Sequence, residues 1–271
     1  MKRKFYFIFF ILSFILILTS CKNNNYTETE YSYKLSDSIT DIEINWRVGD
    51  IEITSGDEFS IVETSQDEKA IAPLNYSIID NKLVLNYNNS NKDLKIILDN
   101  KSDYNLIHIE TTNSIVTASH IVANELIING KVGKSDISNC TLKILESNFT
   151  CLNDWKPSTI KNNTIDNLKI TYERIHYISI IDNICKTINF KFESGILNLL
   201  NNNFSSIDLK SFFGTINLTI NGYYGFTYYS YSNTSIDFET IQYNNKYIYL
   251  DGSKQILCKT IKGHINIYRN Y

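Results

Sequence analysis

Apolar and polar residues alternate along most of the chain in short runs, and one skeleton recurs. Counting from a glycine, apolar residues fall at −7, −5, +2 and +4. Around Gly49 these are Ile42, Ile44, Ile51 and Ile53; around Gly195, Ile188, Phe190, Leu197 and Leu199. Around Gly214 they are Ile207, Leu209, Ile216 and Leu218; around Gly263, Ile256, Cys258, Ile265 and Ile267. Ser114 takes the glycine place for Ile107, Ile109, Val116 and Ala118. Alternation with period two turns one side of a strand inward. The glycine between two such runs permits a bend. The predicted unit is strand, bend, strand. A lone unit of this kind cannot bury its apolar edge, so neighbours must stack.

Gly195 and Gly214 are 19 residues apart. The pattern therefore predicts an all-β chain, a single-stranded β-helix or β-solenoid with parallel stacking of coils of about 20 residues. The alternative is a β-sandwich, which would pair sequential strands antiparallel. Residues 107–271 read as the coils, with the glycine lost in the stretch 126–186. Residues 38–98 read as an N-terminal capping block, which a stack needs to cover its open edge. Within it, runs of alternating residues flank Asp80-Asn81, a turn-favouring pair, and predict a hairpin. Asn162-Asn163 and Asn201-Asn202-Asn203 read as turns, because asparagine tolerates left-handed backbone.

The N-terminus has a different pattern. Lys2, Arg3 and Lys4 precede an apolar run from Phe5 to Leu18, and Leu18-Thr19-Ser20-Cys21 follows. The run is shorter than the roughly 20 residues of a membrane span and suits the core of a secretory signal. The LTSC ending resembles the lipobox of bacterial lipoproteins, which implies that residues 1–20 are cleaved and Cys21 carries lipid. Lys22 follows, where the usual inner-membrane retention signal has Asp. Residues 21–37 are polar without apolar periodicity and are expected to form a tether.

Two further blocks carry a second resemblance. The opening stretch from Ile39 to Ile53 contains the Gly49 copy, and Asp93 to Leu98 forms a later alternating strand. With the Gly195, Gly214 and Gly263 copies, they resemble a widespread bacterial family of adhesin-type β-strand repeat domains of unknown function. The resemblance spans about residues 38–271. It implies a β-helix or solenoid, often exported or lipid-anchored, and it carries no catalytic residue across.

Composition narrows the chemistry. The chain has a net charge of −3. Without residues 1–20 the 26 basic residues fall to 23 against 29 acidic ones, a net charge of −6. No basic patch points to nucleic acid. Cys140, Cys151, Cys185 and Cys258 remain after Cys21, an even set that could form disulfides outside the cytoplasm. Cys258, however, holds an inward position and should pack as a small apolar residue. His108, His120, His176 and His264 are scattered without metal-ligand spacing, so no metal or cofactor is expected.

No nucleophile or phosphate-loop motif occurs. Asp208 and Asp237 are the nearest analogues of a paired-acid glycosidase site, but both occupy outward strand positions where solvated charges are ordinary. The chain is not expected to be an enzyme. Its one chemically unusual stretch runs NGYYGFTYYSYS from Asn221. Tyr223, Tyr224, Tyr228, Tyr229 and Tyr231 could contact a glycan or a partner protein; they could equally form a cross-strand aromatic ladder. The expectation is an exported, lipid-anchored envelope protein, facing outside the cytoplasm, with a structural or adhesive surface. Its partners would be the membrane, through the lipid, and an envelope protein or glycan.

Overall fold

The computed structural model describes residues 29–35, 38–65, 73–87, 92–152, 157–221, 225–230, 234–236, 239–241 and 246–270. Cys21, Tyr223, Tyr224, Tyr231 and Asp237 lie outside them. Among the described residues there is no helix, and the strands join in one hydrogen-bonded sheet. The chain is all-β, as the alternation predicts.

Long strands run straight through the predicted bends. Tyr104–Ser119, Val122–Ser138, Thr164–Ile181 and Ile184–Leu200 each hold both halves of a repeat unit. They end at residues with left-handed backbone, His120, Asn139, Asp182 and Asn201, and Asn162 after Ser158–Lys161 is the same, with φ between 53° and 58°. Consecutive units pair parallel and in register. Ile188 faces Ile207 and Phe190 faces Leu209; on the other side of the bend Leu197 faces Ile216 and Leu199 faces Leu218. The strands flanking Gly195 and Gly214 thus lack the antiparallel hairpin partnership of a sandwich. Every apolar position of the five skeleton copies is buried, none more than 2% exposed.

The glycines matter for more than the bend. Gly195 has φ +118°, and a Cβ there would sit 1.9 Å from the Ile175 carbonyl oxygen of the neighbouring unit. Gly133 meets the Ser114 carbonyl in the same way, at 2.0 Å. It also pairs in register with Ser114. The stretch 126–186 was expected to lack the glycine, yet Leu126, Ile128, Ser135 and Ile137 complete a skeleton around Gly133. The polar Ser135 hides that copy. Its hydroxyl is buried and satisfied by Ser147 and by the Tyr172 hydroxyl, at 3.1 and 2.8 Å.

The ends depart from sequence order. Asp41–Val48 lies between Lys82–Asn86 and Tyr104–Ser119, parallel to both. Ile51–Gly56 lies between Lys92–Asp99 and Tyr104–Ser119. Antiparallel strands finish this end: Asn75–Ile79 on Lys82–Asn86, and Ser60–Ser65 on Lys92–Asp99. The first of these is the expected hairpin, with Asp80 and Asn81 both at positive φ. Thr29–Lys34 then adds antiparallel to Ser60–Ser65. That part of the expected tether belongs to the sheet. Its tyrosines alternate, and Tyr33 and Leu35 pack against the core.

At the other end, Lys254–Thr260 and His264–Asn270 of the Gly263 unit are flanked on both sides. The Gly214 unit pairs with one side. Phe226–Ser230, from the tyrosine-rich stretch, and Thr234–Ile236, just after it, pair parallel with the other. Lys246–Tyr249 and Glu239–Ile241 fold back on those two strands.

Candidate binding groove

Stacking in register turns matched outward positions into columns. One column runs Asn45, Glu110, Asn129 and Asn148. It continues through Thr171 to Lys191, Lys210 and Lys259. Its first half is tied by hydrogen bonds along the stack. Asn129 donates to Glu110 (2.7 Å), and Asn148 donates to Asn129 (2.9 Å). Asn148 also donates to Glu146; this bond, with the Lys169 ammonium beyond it, holds the Glu146 carboxyl below the usual range.

Beside the column, the residues entering the bend stand up as a second wall. Two recesses open between them. One, of about 630 Å³, runs from Asn45 and Asn86 past Arg47, Glu110 and Lys131. The other, of about 570 Å³, is lined by Lys191, Lys210, Lys259, Glu193, Phe212 and Ile261. Both include Thr171 and Glu173, so they form one groove along the stack.

An internal aromatic row supports the groove from beneath. Phe149, Tyr172 and Phe190 meet edge to face at 5.6 and 5.9 Å, and Phe190 meets Phe192 at 5.4 Å. All four are buried. Burial pushes the Tyr172 hydroxyl above its ordinary pKa, and its bonds to Ser135 and Ser147 partly offset this. At the lysine end, Phe212 and Phe213 contact each other at 4.4 Å and are 40% and 48% exposed. Ile261 is 58% exposed, and Lys262 reaches over the Phe213 ring at 5.7 Å.

The structure places the residues singled out from sequence elsewhere. Tyr228 and Tyr229 lie in Phe226–Ser230, opposite Tyr247 and Lys246. Asp208 pairs with Lys210 at 2.6 Å. Cys140, Cys185 and Cys258 are buried free thiols, and Cys151 is half-buried. Burial pushes Cys140 up to about 11 and Cys185 up to about 12, and Cys258 higher still. Among the described residues, no three His, Cys, Asp or Glu side chains converge as a metal site would need. The groove escaped sequence reasoning because its walls are ordinary outward residues. Their only shared signal is their equal offset from the glycine.

No family model and no curated protein sequence matches the chain. Solved structures do. A protein described as a putative adhesin from Bacteroides fragilis superposes with a TM-score of 0.57, at 16% identity, over 90% of this chain and 97% of the other. The chain shares its fold. A protein from Parabacteroides distasonis, described as a putative lipid binding protein, gives 0.51 at 15% identity, over 90% and 97% of the two chains. The fold neighbours are thus named for adhesion or lipid binding, in line with the resemblance carried by the repeat residues.

Proposed function

We propose that this chain is an exported, lipid-anchored envelope protein whose repeat units form a β-solenoid, and that it presents a non-catalytic surface for structural or adhesive contact. The in-register parallel pairing of consecutive units carries this reading. A stack of such units exposes long columns of identical spacing, which suit an extended partner better than a small substrate. The lipobox-like LTSC ending at Cys21 supplies the anchor. The names of the fold neighbours agree with a binding role.

Fractionation of cells producing the full chain tests the anchor. Wild type should fractionate with membranes, and Cys21→Ser should be released or remain unprocessed. A Cys21→Ser chain that matures and stays on the membrane like wild type removes the lipoprotein reading. A second reading, contact through tyrosines, is favoured by Tyr228 and Tyr229, which lie in Phe226–Ser230, a strand that flanks the Gly263 unit.

A further inference from the structure

We infer that the lysine end of the groove binds an extended acidic polysaccharide, its carboxylates on the Lys191–Lys210–Lys259 column and its sugar faces on the Phe212–Phe213–Ile261 ledge. This rests on the non-catalytic binding reading and gives it a site and a ligand class.

The charge arrangement is the first observation. Lys191 pairs in register with Lys210, and Lys210 with Lys259, so three ammonium-bearing side chains leave adjacent strands at one position. Adjacent strands lie about 4.8 Å apart, and like charges directly opposite destabilise a sheet. Four outward lysines elsewhere have a carboxylate partner on a neighbouring strand: Lys82 with Glu43, Lys95 with Glu52, Lys169 with Glu146 and Lys186 with Asp166. In the column only Lys210 has a carboxylate partner, Asp208 on its own strand. Among the described residues, no carboxylate lies within ion-pair distance of Lys191, Lys259 or Lys262. Glu173 and Glu193 line the same recess, but neither is in ion-pair distance of these lysines. The missing counter-charges fit a ligand that brings its own, at regular intervals along one line.

The shape and the ledge narrow the ligand. Phe212, Phe213 and Ile261 form an exposed apolar strip beside the lysines. An aromatic face beside a cation suits a flat apolar surface carrying an anion. A uronic acid residue has both: a pyranose face of C–H groups and a ring carboxylate. Glu193 and Glu173, on the same wall, can accept hydrogen bonds from sugar hydroxyls. A bilayer is flat and would meet the rim rather than fill a recess of about 570 Å³. Towards the other end the groove continues into Asn148 and Asn129, whose amides suit further hydroxyls.

The test uses the full-length chain in detergent and a fluorescently labelled oligogalacturonate. Its fully methyl-esterified counterpart has the same rings without the charge. The expected result is saturable binding of the acid form, weakening as salt rises, and at least tenfold weaker binding of the ester. The triple variant K191Q/K259Q/K262Q should lose at least tenfold in affinity with an unchanged circular dichroism spectrum. Lys143→Gln, on an exposed position outside the groove, should bind like wild type. If the triple variant fails to fold, the single variants Lys259→Gln and Phe213→Ala should each weaken binding.

No binding of the acid form, equal binding of the ester, or an unchanged affinity in folded lysine variants would overturn the proposal. So would equally tight binding of poly-glutamate, or of phosphatidylglycerol vesicles in phosphatidylcholine. Shortening of the oligosaccharide during incubation would refute the non-catalytic reading while leaving the groove as the binding site. Failure of the Cys21 fractionation test would leave both untouched.

Discussion

The residue after each left-handed corner carries a role its turn-forming neighbour conceals. Asn163, Asn183 and Asn202 are buried and hydrogen-bonded in a row. The Asn163 backbone N–H and side-chain amide both donate to the Asn183 side-chain oxygen, at 3.0 and 2.9 Å. Asn183 repeats this with Asn202, and donates to the carbonyls of Ile160 and Ile181 at 2.9 Å. Cys140 begins the row, its N–H donating to Asn163 at 2.8 Å. Each buried group left unpaired costs about 1–3 kcal/mol. Asn183→Ala should therefore destabilise by at least about 2 kcal/mol in urea unfolding, since it orphans donors and acceptors on two adjacent units. Asn217→Ala, in the half-buried outer row with Asn198 and Asn266, should cost less than about 1 kcal/mol. Equal losses at the two positions would contradict the buried row. Gly195→Ala forces a side chain against the Ile175 carbonyl at positive φ, so it should cost more than about 1 kcal/mol.

At the scale of elements, the N-terminal antiparallel strands are joined by an ion pair that water does not reach. Lys92 Nζ lies 3.1 Å from Glu63 Oε2, and both side chains are 1% exposed. Trp46, in Asp41–Val48, donates to the Lys92 carbonyl at 3.0 Å. Removing one partner of a buried pair leaves an uncompensated charge and typically costs about 3–5 kcal/mol. Lys92→Met should lower the unfolding midpoint accordingly, and Lys92→Met with Glu63→Leu should recover much of the loss. The surface pairs act through pH. Lys82 holds the Glu43 carboxyl below the ordinary range, and Asn148 with Lys169 does the same for Glu146. Such groups contribute stability above the unfolded carboxyl pKa of about 4.3 and lose it as pH falls through the lower folded value. The urea midpoint should fall between about pH 5 and pH 3, and by less in the variant lacking both carboxyls, Glu43→Gln with Glu146→Gln.

For the whole molecule, stability depends on continuous inward columns. Leu218 is fully buried and lies between Leu199 and Ile267 on neighbouring units. A buried Leu→Ala typically costs about 2–5 kcal/mol; Leu218→Asp should abolish folding, whereas Asn217→Asp on the opposite face should fold. The Gly263 unit sits inside the stack, with the tyrosine-rich strands beyond it. Truncation after Asp251 should therefore strip one paired strand from the Gly214 unit and one from Phe226–Ser230. Bare strand edges recruit other chains, so light scattering should show aggregation of the truncated chain and none of the full one.

Period-two alternation is local, and so the chain's inward positions were readable without a structure. Side chains two apart share a face whatever the strand's neighbours are. The five skeleton copies, the Asp80-Asn81 hairpin and the turn asparagines follow from this and from the few residues that tolerate positive φ. Register between the Gly195 and Gly214 units follows too, because these two units, consecutive in sequence, also pair with each other. Where pairing departs from sequence order, adjacency is set by contacts distant in sequence. Asp41–Val48 pairs with Tyr104–Ser119 on one side and with Lys82–Asn86, which comes between them in sequence, on the other. The Gly263 unit similarly inserts ahead of the tyrosine-rich strands. Thr29–Lys34 is a strand because Tyr33 and Leu35 find core to cover. The buried asparagines, Ser135 and the lysine column have the same cause. Hydrogen-bond partners and uncompensated charges on neighbouring units exist only once the units are stacked, and the groove between them is made by that stacking alone.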